Sequence, residues 1–270
     1  MKKSSIIIIV IVAVVCLVGG IVLLSPVIPG RTETIYSDNG YKEVNEYALN
    51  GNFLKSSFYY SSGELDYFCT YEYDLKGNMI TKKYFHSEDM LYRYFTYEYD
   101  IRGNMIKEIM HKPSGSVEGY YLYQYHSNGI QSVKEYYSDG ELYNHSEYDT
   151  NGVISKETKY LSGEISSEIE YNELGQEIKY NSYYNGNFTG YRTYAYNENG
   201  KKVQETVYDK NDNLKGFIVY EYHPNGVMKE KALCDIDGTV KGSITYDEDG
   251  DEIDTYVNYD YDILTGEKIR

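Results

Sequence analysis

A tyrosine stands four residues before a glycine at Tyr47/Gly51, Tyr73/Gly77, Tyr99/Gly103, Tyr125/Gly129, Tyr148/Gly152, Tyr171/Gly175, Tyr196/Gly200, Tyr222/Gly226 and Tyr246/Gly250. The intervals are 26, 26, 26, 23, 23, 25, 26 and 24 residues. A period of this size is the mark of a stacked repeat, in which each unit buries its apolar side against its neighbours. The nine copies occupy the chain from about residue 36 onward and leave no stretch for a second kind of domain.

The residues inside the motif define the local structure. In Asp74-Leu75-Lys76-Gly77, aspartate takes the first corner of a type I turn and glycine the fourth. An aspartate there caps the turn with its side chain, and glycine accepts the left-handed conformation that follows. The product is a three-residue hairpin loop with a glycine bulge. Asp74, Asp100, Asp149, Asn172, Asn197 and Asp247 fill the first corner; Ala48, His126 and His223 are the exceptions. A looser turn is expected midway in each unit, as at Ser62-Gly63, Ser114-Gly115, Asp139-Gly140, Ser162-Gly163, Asn185-Gly186, Asp212-Asn213 and Asp237-Gly238. Between turns the sequence alternates as strands do: Phe95, Tyr97 and Tyr99 share one face, and so do Tyr121, Tyr123 and Tyr125. No helical spacing follows residue 30. The expected fold is all-β, with tandem antiparallel β-hairpins forming an elongated twisted sheet or solenoid of roughly 18 strands. Equivalent tyrosines are expected to stack in ladders two strands apart.

Composition agrees with a thin sheet rather than a deep core. The chain has 36 Tyr, 7 Phe and no Trp among 270 residues. A tyrosine suits a half-buried site, because the ring packs while the hydroxyl stays wet. The formal net charge is −16. Such a surface repels phosphate backbones, so no nucleic-acid partner is expected.

Residues 6–24, IIIIVIVAVVCLVGGIVLL, run 19 residues without a charge, after Lys2 and Lys3. A spanning helix needs about 20 apolar residues, and a signal-peptide core only about 7–15. The length favours a signal anchor over residues 1–30, with the lysines inside and residues 31–270 outside the cytoplasm as the repeat domain. Secretion after cleavage behind Gly20 is the alternative. Cys16 lacks the small preceding residue and polar tether of a lipidation site, and Cys69 and Cys234 are read as unpaired.

YEYDLKGNMITKK (71–83) and YEYDIRGNMIKEI (97–109) resemble the YD repeats of the RHS type, whose pattern is Y-x-Y-D-x-x-G-[RN]-[LM]. The match weakens at YQYHSNG (123–129) and YEYHPNG (220–226), which lose the aspartate. The stretch 136–180 resembles MORN-variant repeats of antitoxin-like proteins, with the same glycine-turn hairpins at shorter spacing. The first resemblance implies a β-spiral on a bacterial surface, here a repeat array without the toxin module that the largest such proteins enclose. The second implies a protein-binding, immunity-like role. A third likeness, to choline- and glucan-binding repeats, implies a glycan- or cell-wall-binding module, although those repeats build their sugar pockets with tryptophan.

No catalytic constellation is recognisable. His86, His111, His126, His145 and His223 are scattered, and two of them sit at turn corners as structural residues. No nucleophile elbow, zinc-protease helix motif or phosphate-binding loop occurs. The acidic runs Asp235–Gly238 and Asp247–Glu252 raise the question of calcium. A calcium loop counted back from Gly250 begins at Thr245 and ends at Tyr256, which are the wrong ligands. The expectation is a non-enzyme without cofactor or metal, anchored through residues 6–24. Its role is binding or surface structure with a protein or cell-envelope partner.

Overall fold

A computed structural model describes residues 29–86 and 90–257. The expected membrane segment at 6–24, with Cys16, lies outside the described residues. Every element among the described residues is a β-strand, and no helix there is long and apolar enough to cross a membrane.

The chain divides into two compact units, one ending at Tyr125 with Tyr136–Gly140 added, the other comprising His126–Glu135 and the residues from Glu141 onward. The first contains β1 (Pro29–Tyr36), β2 (Lys42–Ala48), β3 (Phe53–Tyr59), β4 (Leu65–Tyr73), β5 (Met79–His86), β6 (Leu91–Tyr99), β7 (Met105–His111) and β8 (Val117–Tyr125). β9 (Gln131–Ser138) contributes its last three residues to the first unit and its beginning to the second. The second unit holds β10 (Glu141–Tyr148), β11 (Ile154–Leu161), β12 (Glu164–Tyr171), β13 (Glu177–Tyr184) and β14 (Asn187–Tyr196). It continues with β15 (Lys202–Asp209), β16 (Leu214–Tyr222), β17 (Met228–Cys234), β18 (Val240–Tyr246) and β19 (Glu252–Val257).

Within each unit every strand pairs antiparallel with its sequence neighbours, from β1 to β8 in the first and from β10 to β19 in the second. The described residues form nineteen strands, against about eighteen expected. The additional one is β1, whose hairpin turn closes with Gly40 N–H on the Ser37 carbonyl at 2.9 Å. Tyr36 also precedes Gly40 by four, but this turn belongs to the opposite edge from the nine recurrent turns.

The midway turns are tight, not loose, and they come in two kinds. At Gly63, Gly115 and Gly238 the amide bonds the carbonyl three residues back at 2.9 Å, as in the recurrent turns. Asp212 does the same at 3.2 Å. At Asp139-Gly140, Ser162-Gly163 and Asn185-Gly186 both residues have positive φ, between 47° and 82°. That is the two-residue loop whose twist matches the flanking strands. These three loops fall in the intervals of 23, 23 and 25 residues. The two-residue loops accompany the shorter periods in the middle of the chain, although the 24-residue interval from Tyr222 to Tyr246 keeps the longer turn at Asp235–Gly238.

Little is buried. The apolar residues below the surface are Tyr47, Ala48, Phe68 and Cys69 in the first unit, and Ile169, Ile218, Ala232, Leu233 and Cys234 in the second. Cross-strand aromatic pairs supplement them. Phe68/Phe85, Tyr94/His111 and Tyr120/Tyr137 stack with centroids 4.8, 4.3 and 4.6 Å apart, each pair 17 residues apart in sequence. Tyr191/Tyr208 repeats the arrangement in the second unit at 4.7 Å. Phe68/Phe85, Tyr94/His111 and Tyr191/Tyr208 are directly opposed across their strands, and none of these stacks joins equivalent tyrosines of successive repeats. Two strand spacings are about 10 Å, beyond the roughly 4.5–7 Å over which rings interact.

Candidate binding surface

Each recurrent residue has a local task. Gly51, Gly77, Gly103, Gly129, Gly152, Gly175, Gly200, Gly226 and Gly250 all have φ between 74° and 93°. Each donates its amide to the first-corner carbonyl at 2.8–3.1 Å. Asp74 Oδ1 accepts the amides of Lys76 at 2.9 Å and Asn78 at 2.8 Å. Asp100, Asp149 and Asp247 bind their own turns in the same way. The Asn104 side chain and turn amides hold the Asp100 carboxyl below its usual range, and the Val153 amide does so first for Asp149.

The tyrosine before the turn ties one repeat to the one before it. Tyr99 OH donates to the Met79 carbonyl at 2.8 Å, and Tyr125 OH to the Met105 carbonyl at 2.6 Å. In the second unit Tyr196 bonds Glu177 O and Tyr222 bonds Lys202 O, both at 2.8 Å. Tyr73 reaches the Phe53 backbone. Tyr47 and Tyr171 donate instead to carboxylates, Glu33 at 3.0 Å and Glu157 at 3.4 Å. At Tyr148 and Tyr246 the tie runs through the backbone. The Nε2 atoms of His126 and His223 bond their carbonyls at 2.8 Å, which explains histidine at those two corners.

The devices that recur are accordingly scaffold, and individuality lies at positions that change. One such position stands five residues after each recurrent glycine. It is Ser56, Lys82 and Glu108 in the first unit, and Lys134, Glu157, Tyr180, Glu205, Lys231 and Thr255 in the second. A tyrosine of the next repeat hydrogen-bonds several of them: Tyr71 to Ser56 at 3.1 Å, Tyr123 to Glu108 at 3.1 Å and Tyr220 to Glu205 at 2.7 Å.

In the second unit this position is electrically closed. Glu205 is 6% exposed and accepts from Arg192 Nη1 at 3.1 Å, with Lys202 Nζ at 3.5 Å and the Tyr220 hydroxyl completing its shell. Lys202 also lies 4.3 Å from the Tyr194 ring centroid. Burial first, then Glu205, pushes the Tyr194 and Tyr220 phenols above their usual range.

In the first unit the corresponding Lys82 is half-buried and hydrogen-bonded to the Tyr84 side chain. Its ammonium lies 4.7 Å from the Tyr84 ring and 5.6 Å from the Tyr71 ring, and it pairs across the strands with Phe95. No carboxylate lies within ion-pair distance of it among the described residues. Nearby Arg93 on β6 bonds Met110 Sδ at 3.5 Å and Tyr92 OH at 3.2 Å, and its Nε is buried without a partner. A half-buried cation against aromatic faces attracts an anionic group once water is displaced. Sequence inspection for catalytic motifs passed over Lys82, Arg93, Arg192 and Glu205. The signal that finds them is a change of charge at a fixed offset inside an otherwise repeating unit.

Burial pushes the Cys69 thiol up to about 11 and raises Cys234, so both remain thiols at neutral pH. Cys69 and Cys234 are both free and buried. Burial lowers His111, and no three His, Cys, Asp or Glu side chains converge as metal ligands among the described residues.

No protein-family pattern matches the chain, and no curated protein matches it in sequence. Solved structures do. The TcdB2-TccC3 crystal structure aligns over 80% of this chain and 14% of its own length, at 11% identity and a TM-score of 0.44. A porin-like protein from Bacteroides uniformis aligns over 87% of this chain and 96% of its own, at 12% identity and a TM-score of 0.27. The pneumococcal O-GlcNAc transferase GtfA, solved with UDP and GlcNAc, aligns over 43% and 21%, at 14% identity and a TM-score of 0.22. The chain thus spans well under two thirds of the first and last of these.

Proposed function

We propose that this chain is a membrane-anchored, extracytoplasmic, non-catalytic binding module of the RHS/YD-repeat type, with residues 6–24 as its anchor. Its repeats supply the scaffold, and the positions that differ between copies select the partner. The observation that carries this reading is Lys82. Equivalent Glu108 and Glu205 are carboxylates engaged by tyrosine hydroxyls, whereas Lys82 presents an ammonium held by Tyr84 among rings without a carboxylate. That chemistry fits an acidic group on a cell-envelope polymer or protein, and the net charge of −16 disfavours nucleic acid. An elongated, twisted array belongs to the same proposal, because each strand bonds only its sequence neighbours within a unit; a compact globule by small-angle scattering would contradict it.

Full-length protein expressed in cells tests the remainder. Protease added outside should remove the repeats, and protection of the repeats would sink the outward topology. Capture of purified cell envelope should fall about tenfold or more in Lys82→Gln, corresponding to roughly 1.5 kcal/mol for a lost charge-assisted contact. Equal capture by both proteins would remove Lys82 from the contact.

A further inference from the structure

Three successive recurrent turns of the first unit carry an aliphatic residue at the second corner. Leu49, Leu75 and Ile101 are 69%, 59% and 91% exposed. A type I turn accepts most residues at that corner, so the turn itself does not call for an aliphatic side chain. Single exposed apolar residues are ordinary, but a row of them is not. Successive tips are two strands apart, about 10 Å. Next to them, at the third corner, stand Asn50, Lys76 and Arg102. The same corners in the recurrent turns of the second unit read Ser127-Asn128, Thr150-Asn151, Glu173-Leu174, Glu198-Asn199, Pro224-Asn225 and Glu248-Asp249, without a cation. The carboxylates of Asp74 and Asp100 are bound to backbone amides, which leaves Lys76 and Arg102 as the outward charges of their tips.

The register of β1 says what lies beside this row. Pro29 pairs with Ala48, so the chain enters the fold at the edge that bears these turns. A side chain at Gly30 would meet the Ala48 carbonyl at 2.8 Å and the Leu49 amide at 3.0 Å. Only residues 25–28 separate the apolar run 6–24 from β1, a reach of at most about 14 Å.

We propose that this edge of the first unit rests on the bilayer next to the chain's own anchor. Leu49, Leu75 and Ile101 enter the interfacial layer, and Lys76 and Arg102 meet the phosphates of anionic lipids. The proposal rests on the anchor reading of residues 6–24. An apolar tip flanked by cations is the composition that binds an anionic interface, and each cation near such a surface contributes a separate increment.

The chain has no tryptophan, so one introduced residue reports alone. Full-length Ile101→Trp, Thr150→Trp and Leu17→Trp proteins are reconstituted in vesicles of phosphatidylcholine mixed with phosphatidylglycerol, with quencher carried on the lipid. The expected result is quenching at positions 17 and 101 and none at 150. Adding Lys76→Gln and Arg102→Gln to the Ile101→Trp protein should lower the docked-to-undocked ratio roughly 30-fold, from two lost lipid contacts. Quenching at 17 without quenching at 101 overturns the docking and leaves the anchor standing. No quenching at either position overturns both. Shielding of position 101 from an aqueous quencher, without lipid quenching, assigns the edge to a second copy or another protein and overturns the proposal. Quenching at 101 that is indifferent to the two cations overturns the assignment of lipid phosphate.

Discussion

Raising the pH through about 10 to 12 should unfold this protein cooperatively, with phenolate absorbance and loss of the β-sheet signal appearing together. The tyrosines that stitch the repeats are the cause. Burial raises Tyr71, Tyr73, Tyr97, Tyr99, Tyr121, Tyr123 and Tyr125 in the first unit. It also raises Tyr194, Tyr196, Tyr220 and Tyr222 in the second, and brings Tyr171 and Tyr183 to about 12. An unfolded tyrosine loses its proton near pH 10. Between that value and the folded one, the unfolded chain binds fewer protons, so stability falls as pH rises. The contribution is complete below about pH 10 and is lost as the pH passes through the folded values. Each proton kept by the fold but lost by the unfolded chain adds a slope of at most about 1.4 kcal/mol per pH unit. All of these tyrosines are half-buried and keep part of their surface in water, so solvent screening reduces the slope for each of them. Repulsion among the acidic residues acts in the same direction, but salt screens it, whereas the desolvation of a buried phenolate is hardly screened. The transition should therefore persist at high ionic strength. Tyrosines that titrate near pH 10 while circular dichroism stays constant would show that their hydroxyls do not hold the repeats together.

Much of the fold is legible in the sequence because glycine at positive φ and a capping aspartate cannot be exchanged freely. The nine recurrent turns are legible to the residue from the Tyr–Gly spacing, with Asp or Asn at the first corner in six of them. The midway turns were harder, since Ser62-Gly63 and Ser162-Gly163 are the same dipeptide and form different loops. The difference arises from how many residues separate the paired strands, which a dipeptide does not encode. The aromatic pairs were missed for a related reason. A bulge before each recurrent tyrosine shifts the register, so the partner of Phe68 is found only when the offset of 17 is counted through the turn. The binding surface was legible only as a departure from the repeat. Lys82 and Glu205 carry no motif, and each is informative because its counterparts in other copies differ. What no offset predicts is that Arg192 and Lys202 converge on Glu205, since that depends on how long side chains lean between strands.

Replacing Glu205 should be the most damaging single change among the polar residues of the second unit. Glu205→Leu is expected to cost about 3 kcal/mol, because the carboxylate is buried and three donors lose it at once. The loss lies mainly in what remains behind. Arg192 and Lys202 are about 30% exposed and retain part of their hydration, whereas the Tyr220 hydroxyl loses its acceptor within the sheet. Adding Tyr220→Phe should therefore recover part of the cost, since it removes the hydroxyl that lost its acceptor. Tyr220→Phe alone should cost about 1 kcal/mol, the value of one hydrogen bond. The readout is amide hydrogen exchange strand by strand, because a repeat array need not unfold in one step. Protection should drop in β14, β15 and β16, whose side chains form the cluster, and remain unchanged in β3 to β6. Equal losses in Glu205→Leu and Glu205→Leu/Tyr220→Phe would assign the effect to packing rather than to the orphaned hydroxyl. A loss spread evenly over both units would show that stability here is not a sum of neighbour contacts, and with it the separation of scaffold from site would have to be abandoned.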